Sequence, residues 1–501
     1  MKINKIYGTV MAVALGLSAG SCDLDPKVYS SLTDENFPKS LEDIDALVTG
    51  LYGNFKSNSG GVYDSSYGGW ELPIYAAGGG WWAWNEFTTD ECNHQSSAEM
   101  RFNWTPTSTD YSVYTVSRDI SRATYILDQL EKRNDGSQAL ATKIAEVKAL
   151  RAWHMFCFYD LYGPISVILD PKDLDNVQYM PRPSKEEYFN RMIQDLKEAL
   201  PDLYEKTNGT ANWGRVNKAQ VSMLIMKAYM NEHRYAEAEP YAKSILNMGY
   251  SLAPTYREIF TNEQCDETIW AVPSGETAGN EYFYYCFPPN CITWGENFEN
   301  PSCPTARWGG YIMPWQFYDT FDSQDVRLQH IAYQYKSGDG TVYTRPGAGG
   351  ASDDRIQQGA IPIKYFVDDP NRYADGNTYT LGFRLADVYL SLAEIECELR
   401  GPNQTALDYL KKTTDRAGVS HTIPADILSS KDKFMEFLLL ERGHELFMEG
   451  WRRQDLIRHG KFVSSALERG WSNAKDYMVK FPIPNKVIVE SGGVIEQNDG
   501  Y

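Results

Sequence analysis

Apolar residues recur at helical spacing through two long blocks of this chain, residues 110–248 and 382–462, and that spacing sets the fold class. In the first block, residues 110–131, 137–162, 184–204, 217–231 and 235–248 each read as an amphipathic helix. Thr109 and Asp110 stand where an N-cap belongs, as does Ser184, which is followed by Glu187 at capping-box spacing. The run LIMKAYMNEHRYAEAEPYAKSIL is similar to one tetratricopeptide unit, a pair of antiparallel helices. One such pair cannot bury its apolar face alone and must stack on neighbours. In the second block, Leu385, Val388, Tyr389, Leu392, Ile395 and Leu399 share one helical face. Gly401 and Pro402 end that helix, residues 403–417 form its partner, and residues 431–448 and 452–462 form another pair. The expected class is mainly α: a tetratricopeptide-like scaffold of helical hairpins, the second array closing against the first.

Between the blocks, residues 250–380 lose helical periodicity, and glycine, proline and aromatics crowd together. Short strands are expected at Thr268–Val272, His330–Tyr335 and Ile361–Phe366, and a mobile loop at residues 336–360. Residues 57–109 form a similar irregular segment, and residues 463–501 a closing one.

The N-terminus carries Lys2 and Lys5, a short apolar run at residues 10–17, then Ser18, Ala19, Gly20, Ser21 and Cys22. That order is a secretory signal peptide over residues 1–21, too short to span a bilayer, which needs about 20 apolar residues. A cysteine after Ala-Gly-Ser resembles the lipobox of bacterial lipoproteins, which makes Cys22 the expected lipidation site. The plainer alternative is ordinary cleavage that leaves a free Cys22. Loss of Lys2 and Lys5 takes the net charge from −19 to −21 (−19 − 2). A chain this acidic repels nucleic acid. Seven cysteines follow Cys22, an odd number without a CxxC pair, which indicates neither a full disulfide framework nor a zinc knuckle. Cys157 and Cys397 fall in helical patterns as small buried residues, while one bridge among Cys286, Cys291 and Cys303 is left open.

Motifs with catalytic spelling fail on their spacing. His444 and Glu445 begin like a zinc-protease HExxH, but Met448 holds the second histidine position. The alternating charges at Glu441, Arg442, Glu445, Arg452, Arg453, Asp455 and Arg458 suit a paired network between helices, as do Arg384, Asp387 and Glu394. Asp369 and Asp375 introduce no complete calcium loop, so no metal or cofactor is assigned. The glycine runs at 78–80 and 347–350 lack the Lys-Ser/Thr of a phosphate loop.

Aromatic density is the signal that remains. Tyr63, Tyr67, Trp70, Tyr75, Trp81, Trp82, Trp84 and Phe87 fall in one irregular segment. Tyr282, Tyr284, Tyr285, Trp294, Trp308, Tyr311 and Trp315 fall in another. A sugar ring offers an apolar C–H face and a hydroxyl rim, so it is bound by flat aromatic platforms flanked by short polar groups. Most aromatics in any chain are core, and about a third of each cluster is expected to face a ligand. Trp82 and Trp84 share a side if their stretch is extended. They are preferred for that reason, together with Tyr284, Trp294 and Trp308, with Asp64, Asn85 and Arg307 supplying the rim.

The chain resembles the SusD/RagB family of outer-membrane lipoproteins over nearly its whole length. The resemblance rests on Cys22-Asp23-Leu24-Asp25-Pro26, on Leu150-Arg151-Ala152 followed by Asp160-Leu161-Tyr162-Gly163-Pro164, and on Arg182-Pro183-Ser184. It continues through residues 314–327, 383–399 and 441–462 to FPIPNKVI at 481–488 and the final Gln497-Asn498-Asp499-Gly500-Tyr501. Asp387, where the family commonly has Glu, and Thr124, where it often has Asn, depart from the pattern. The resemblance implies one SusD-like domain over residues 22–501, lipid-anchored on the exterior face of the outer membrane. It also implies capture of an oligosaccharide or polysaccharide without catalysis, and delivery to a SusC-like TonB-dependent transporter. Some members bind peptides instead. A helical glycoside hydrolase is the third reading, needing two carboxyls about 5–10 Å apart in a groove.

Overall fold

The helix Gln138–Tyr162 organises the first block: Ser137 caps it and Gly163, at φ +76°, ends it. It packs between Arg118–Lys132 and Lys185–Ala199. The capping box is formed, with Ser184 accepting from the Glu187 amide and the Glu187 carboxylate accepting from the Ser184 amide. Lys218–Asn231 and Tyr235–Ile245 pair as the tetratricopeptide-like unit expected from the sequence. Tyr235–Ile245 also packs against Leu385–Arg400, which pairs in turn with Gln404–Ala417 and Lys431–Leu446. The two arrays therefore close on each other, and the buried Lys227–Asp387 ion pair at 2.5 Å ties them across the seam.

The computed structural model describes residues 40–56, 63–64, 69–70, 72–94, 101–108, 111–133, 135–175, 179–262, 264–274, 282–301, 307–365 and 379–501. It divides into residues 1–46, of which 40–46 are described and open the helix Leu41–Tyr52, and residues 47–501. Among the described residues no helix is long and apolar enough to cross a membrane.

The irregular middle is more ordered than its composition suggests. Thr268–Val272 pairs antiparallel with Thr380–Arg384. Four strands run in the order Asn93–His94, Tyr311–Pro314, Gly359–Pro362 and Ile331–Ala332, and another four in the order Val342–Thr344, Gln334–Ser337, Cys291–Trp294 and Asn300–Pro301. The expected mobile loop at 336–360 thus contains a hairpin, closed where Tyr335 stacks on Tyr343 with ring centroids 4.9 Å apart. Phe366 lies outside the described residues.

A buried ion network joins this middle to the helices, where the alternating charges point only to pairing between helices. Glu445 accepts from Arg327, Arg384 and Arg416. Arg384 reaches Glu267 and Glu449 as well, and Lys364 donates to Glu449 at 2.5 Å. Burial alone would raise the Glu445 carboxyl, yet Arg416, Arg384 and Arg327 together hold it well below the usual range. His444 bonds the Thr320 hydroxyl at 2.7 Å and stacks on Phe321, a structural setting. Cys157 and Cys397 are buried free thiols in helices; Cys286 and Cys291 are also buried, and Cys303 lies outside the described residues.

Candidate functional site

The stretch around Trp82 is a helix, Trp81–Phe87, where an extended run is expected. Gly80 makes the helix possible. A Cβ there would meet the Pro73 carbonyl at 2.1 Å, so only glycine lets the turn at residues 73–76 close against the helix start. Once helical, three tryptophans point in different directions and all are buried, as in a helix apolar on every side. Trp81 donates to Asp160 at 2.8 Å and meets Trp451 edge-on. Trp82 packs on Tyr282 and Tyr311, and Trp84 on Tyr162 and Phe481. Trp82 is 1% exposed and Trp84 3%, which removes both from any open platform.

Asn85 is equally committed: its amide donates to Asp160 at 3.0 Å and to the Trp81 carbonyl. Trp294, 2% exposed, sits on the strand Cys291–Trp294 and donates to the Pro301 carbonyl at 3.2 Å. Of the residues preferred from the sequence, Trp82, Trp84, Trp294 and Asn85 are thus core. Arg307 is half-buried and donates to the Cys291 carbonyl at 2.6 Å. The side chains of Asp64 and Tyr284 lie outside the described structure, as does Cys22.

The two aromatic segments do meet, in two layers. Trp82, Tyr282 and Tyr311 form the inner layer, closed where the Tyr311 hydroxyl donates to the Ala77 carbonyl. Trp308 forms the outer one. Its half-buried ring lies 5.0 Å from His94 and 5.6 Å from Tyr285, which it meets nearly perpendicularly at 86°. Strand pairing of His94 with Tyr311 brings the imidazole to this position.

Two glycines and an arginine hold Trp308 in place. A Cβ on Gly310 would stand 2.4 Å from the Trp308 ring and 3.0 Å from His94 Nε2. Gly309 takes a left-handed φ of +70° against the backbone of Phe287 and Pro288. Arg355 donates to the Gly309 carbonyl at 2.9 Å and to the Trp308 carbonyl at 3.1 Å. Burial lowers the His94 pKa to about 4, so the ring is neutral at physiological pH and acts as packing surface. Sequence reasoning missed His94 and Arg355 and passed over Tyr285. The one usable signal is Trp-Gly-Gly at 308–310, an aromatic followed by two residues without a Cβ.

The arrangement can stack a flat apolar face against Trp308 and Tyr285. Two carboxyls raised by burial, Glu86 (to about 7) and Glu91, lie 0% and 1% exposed, bonded to the Gly450 and Met448 amides. Among the described residues no group of three or more His, Cys, Asp or Glu is placed to hold a metal.

This combination of helical-hairpin scaffold and aromatic-rich middle is the SusD-like architecture. The surface glycan-binding protein A of Bacteroides thetaiotaomicron, solved with laminarihexaose, superimposes with a TM-score of 0.71 at 19% identity, over 91% of this chain and 99% of its own. A laminarin-binding SusD-like protein does so with a TM-score of 0.73 at 22% identity, over 93% and 100%. A SusD-like protein of Formosa agariphila is 24% identical over 99% of this chain and all of its own. The starch-binding protein SusD of Bacteroides thetaiotaomicron is 24% identical over 83% of this chain and 84% of its own. The SusD family's sequence profile matches residues 266–501. The chain thus shares the SusD-like fold and resembles SusD-like proteins in sequence, with the family's own pattern carried by residues 266–501.

Proposed function

We propose that the protein is a non-catalytic surface receptor for a glycan. The observation that carries this reading is the half-buried Trp308–Tyr285 pair, held open by Gly309, Gly310, His94 and Arg355. Such a pair stacks the C–H face of a sugar while hydroxyls reach polar neighbours. The glycan ligands named for structural neighbours that share this fold support the choice of ligand class. Lipidation at Cys22 would hold the receptor on the outer face of the outer membrane, where it would pass the captured glycan to a SusC-like TonB-dependent transporter. Several acyl chains at one cysteine anchor a protein far more firmly than one.

The test is a glycan array probed with the protein beginning at Cys22→Ala, beside its Trp308→Ala variant. Retention of a defined set of glycans by the first and loss by the second supports the reading. Binding of peptides and no glycan would replace it with the peptide-binding alternative.

A further inference from the structure

A second aromatic cleft, of about 470 Å³, lies a short way along the chain from Trp308. Its walls are Trp315, Tyr318, Tyr333 and Arg345, with the turn at Gly349 and Gly350 across from them. The helix Trp315–Tyr318 follows directly on the strand Tyr311–Pro314, so the cleft lies along the same run of chain as Trp308. Trp315 stands seven positions after Trp308, at most about 23 Å of extended backbone.

Its chemistry is aromatic and hydroxyl-rich, without net charge. Trp315 and Tyr318 meet edge-on at 5.4 Å, and Trp315 is fixed by its bond to the Ile356 carbonyl at 2.9 Å. The Arg345 guanidinium lies 4.7 Å over the Trp315 ring and donates to both carboxylate oxygens of Asp319, at 2.5 and 2.6 Å. Its charge is thereby matched, and among the described residues lining the cleft no other cation faces an acidic ligand. Tyr318 and Tyr333 are half-buried. Burial, and then the neighbouring Tyr333, pushes the Tyr318 phenol up to about 12, so it remains a neutral donor and acceptor. The opposite wall is backbone. A Cβ on Gly350 would meet Thr344 Cγ2 at 2.4 Å, and Gly349 has a φ of +88°, so glycine is needed at both and no side chain fills the space.

We propose that this cleft is a second carbohydrate-contacting site, taking neutral sugar units of a chain whose other part is held at Trp308. The inference rests on the glycan-receptor reading and adds to it a preference for length and for uncharged sugars.

The probe is the polysaccharide with the strongest array signal, together with its size-fractionated oligosaccharides, measured by calorimetry. Tyr318→Ala and Tyr333→Ala should each weaken binding of the long oligosaccharides by about tenfold, a loss near 1.4 kcal/mol, while the shortest bound oligosaccharide is unaffected. Trp308→Ala should weaken every length. Should an alanine variant melt early, Tyr318→Phe and Tyr333→Phe keep the ring and test the hydroxyl alone. Wild-type affinity for every length in the cleft variants, with Trp308→Ala still defective, overturns the second site and leaves the receptor reading standing. A strict preference for acidic glycans overturns it as well. Failure of the wild-type protein to bind any glycan removes both.

Discussion

The Trp308 ring stands 5.0 Å from the His94 imidazole at an interplanar angle of 43°, and the absence of a side chain on Gly310 is what lets the two approach. The contact joins an edge strand to the segment that carries the candidate platform, and it separates a surface tryptophan from the core tryptophans beneath.

Truncating these two kinds of tryptophan should therefore have opposite effects. Trp308→Ala is expected to cost about 2 kcal/mol or more of glycan affinity, the loss typical of a central contact residue, with little change in melting temperature. Trp82→Ala should instead cost about 3–5 kcal/mol of fold stability, because it empties a site bounded by Tyr282, Tyr311 and Gly450. Calorimetric titration and thermal melts of the same two variants check both. A Trp308→Ala protein that melts early and a Trp82→Ala protein that does not would invert the assignment.

His94 makes stability depend on acidity. Its pKa near 4 in the folded chain lies below the unfolded value near 6.5. Between those values the unfolded chain holds a proton that the folded chain does not. Stability is therefore lost as pH falls from about 6.5 through about 4, by at most about 3 kcal/mol from this residue. Denaturant unfolding at pH 7, 5 and 4 should show a shallower loss in His94→Phe than in the unaltered protein.

Glu445 is the shared acceptor of three buried arginines, and its removal should be severe. Glu445→Ala leaves Arg327, Arg384 and Arg416 without it, at an expected cost of about 3–5 kcal/mol. Asp426→Ala, which breaks an exposed pair with Lys433, should cost under about 1 kcal/mol. Urea midpoints of the two variants provide the comparison.

Anchoring is predicted to depend on one atom, the Cys22 thiol. In cells lacking the proposed SusC-like transporter, Cys22→Ala should leave the outer-membrane fraction after a high-salt wash. Persistence there would show that something other than a lipid retains the chain.

No turnover of any bound glycan is expected. New reducing ends above those of a mock-purified control would favour the hydrolase reading, which needs an accessible carboxyl pair rather than the buried Glu86 and Glu91.

Helices were the most legible part of the sequence, because a period near 3.6 records which face meets the core. The strand Thr268–Val272 and the Ser184–Glu187 capping box were legible for the same local reason. The charges from Glu441 to Arg458 could be read as a network but not paired. Arg442 bonds Asp387 and Asp455, while Arg452 reaches Asp90, more than 300 residues away in the chain.

The sequence by itself determined the helical scaffold, the family resemblance and the clustering of aromatics in two segments. Only the tertiary structure decided which aromatic faces outward. Trp82 and Trp308 look alike in sequence, each beside glycines and other aromatics. Close packing at Gly80 and Gly450 folds the first into a buried helix, whereas Gly309, Gly310 and Arg355 hold the second at the surface. Exposure is a property of what packs against a residue from far along the chain, and local composition does not record it.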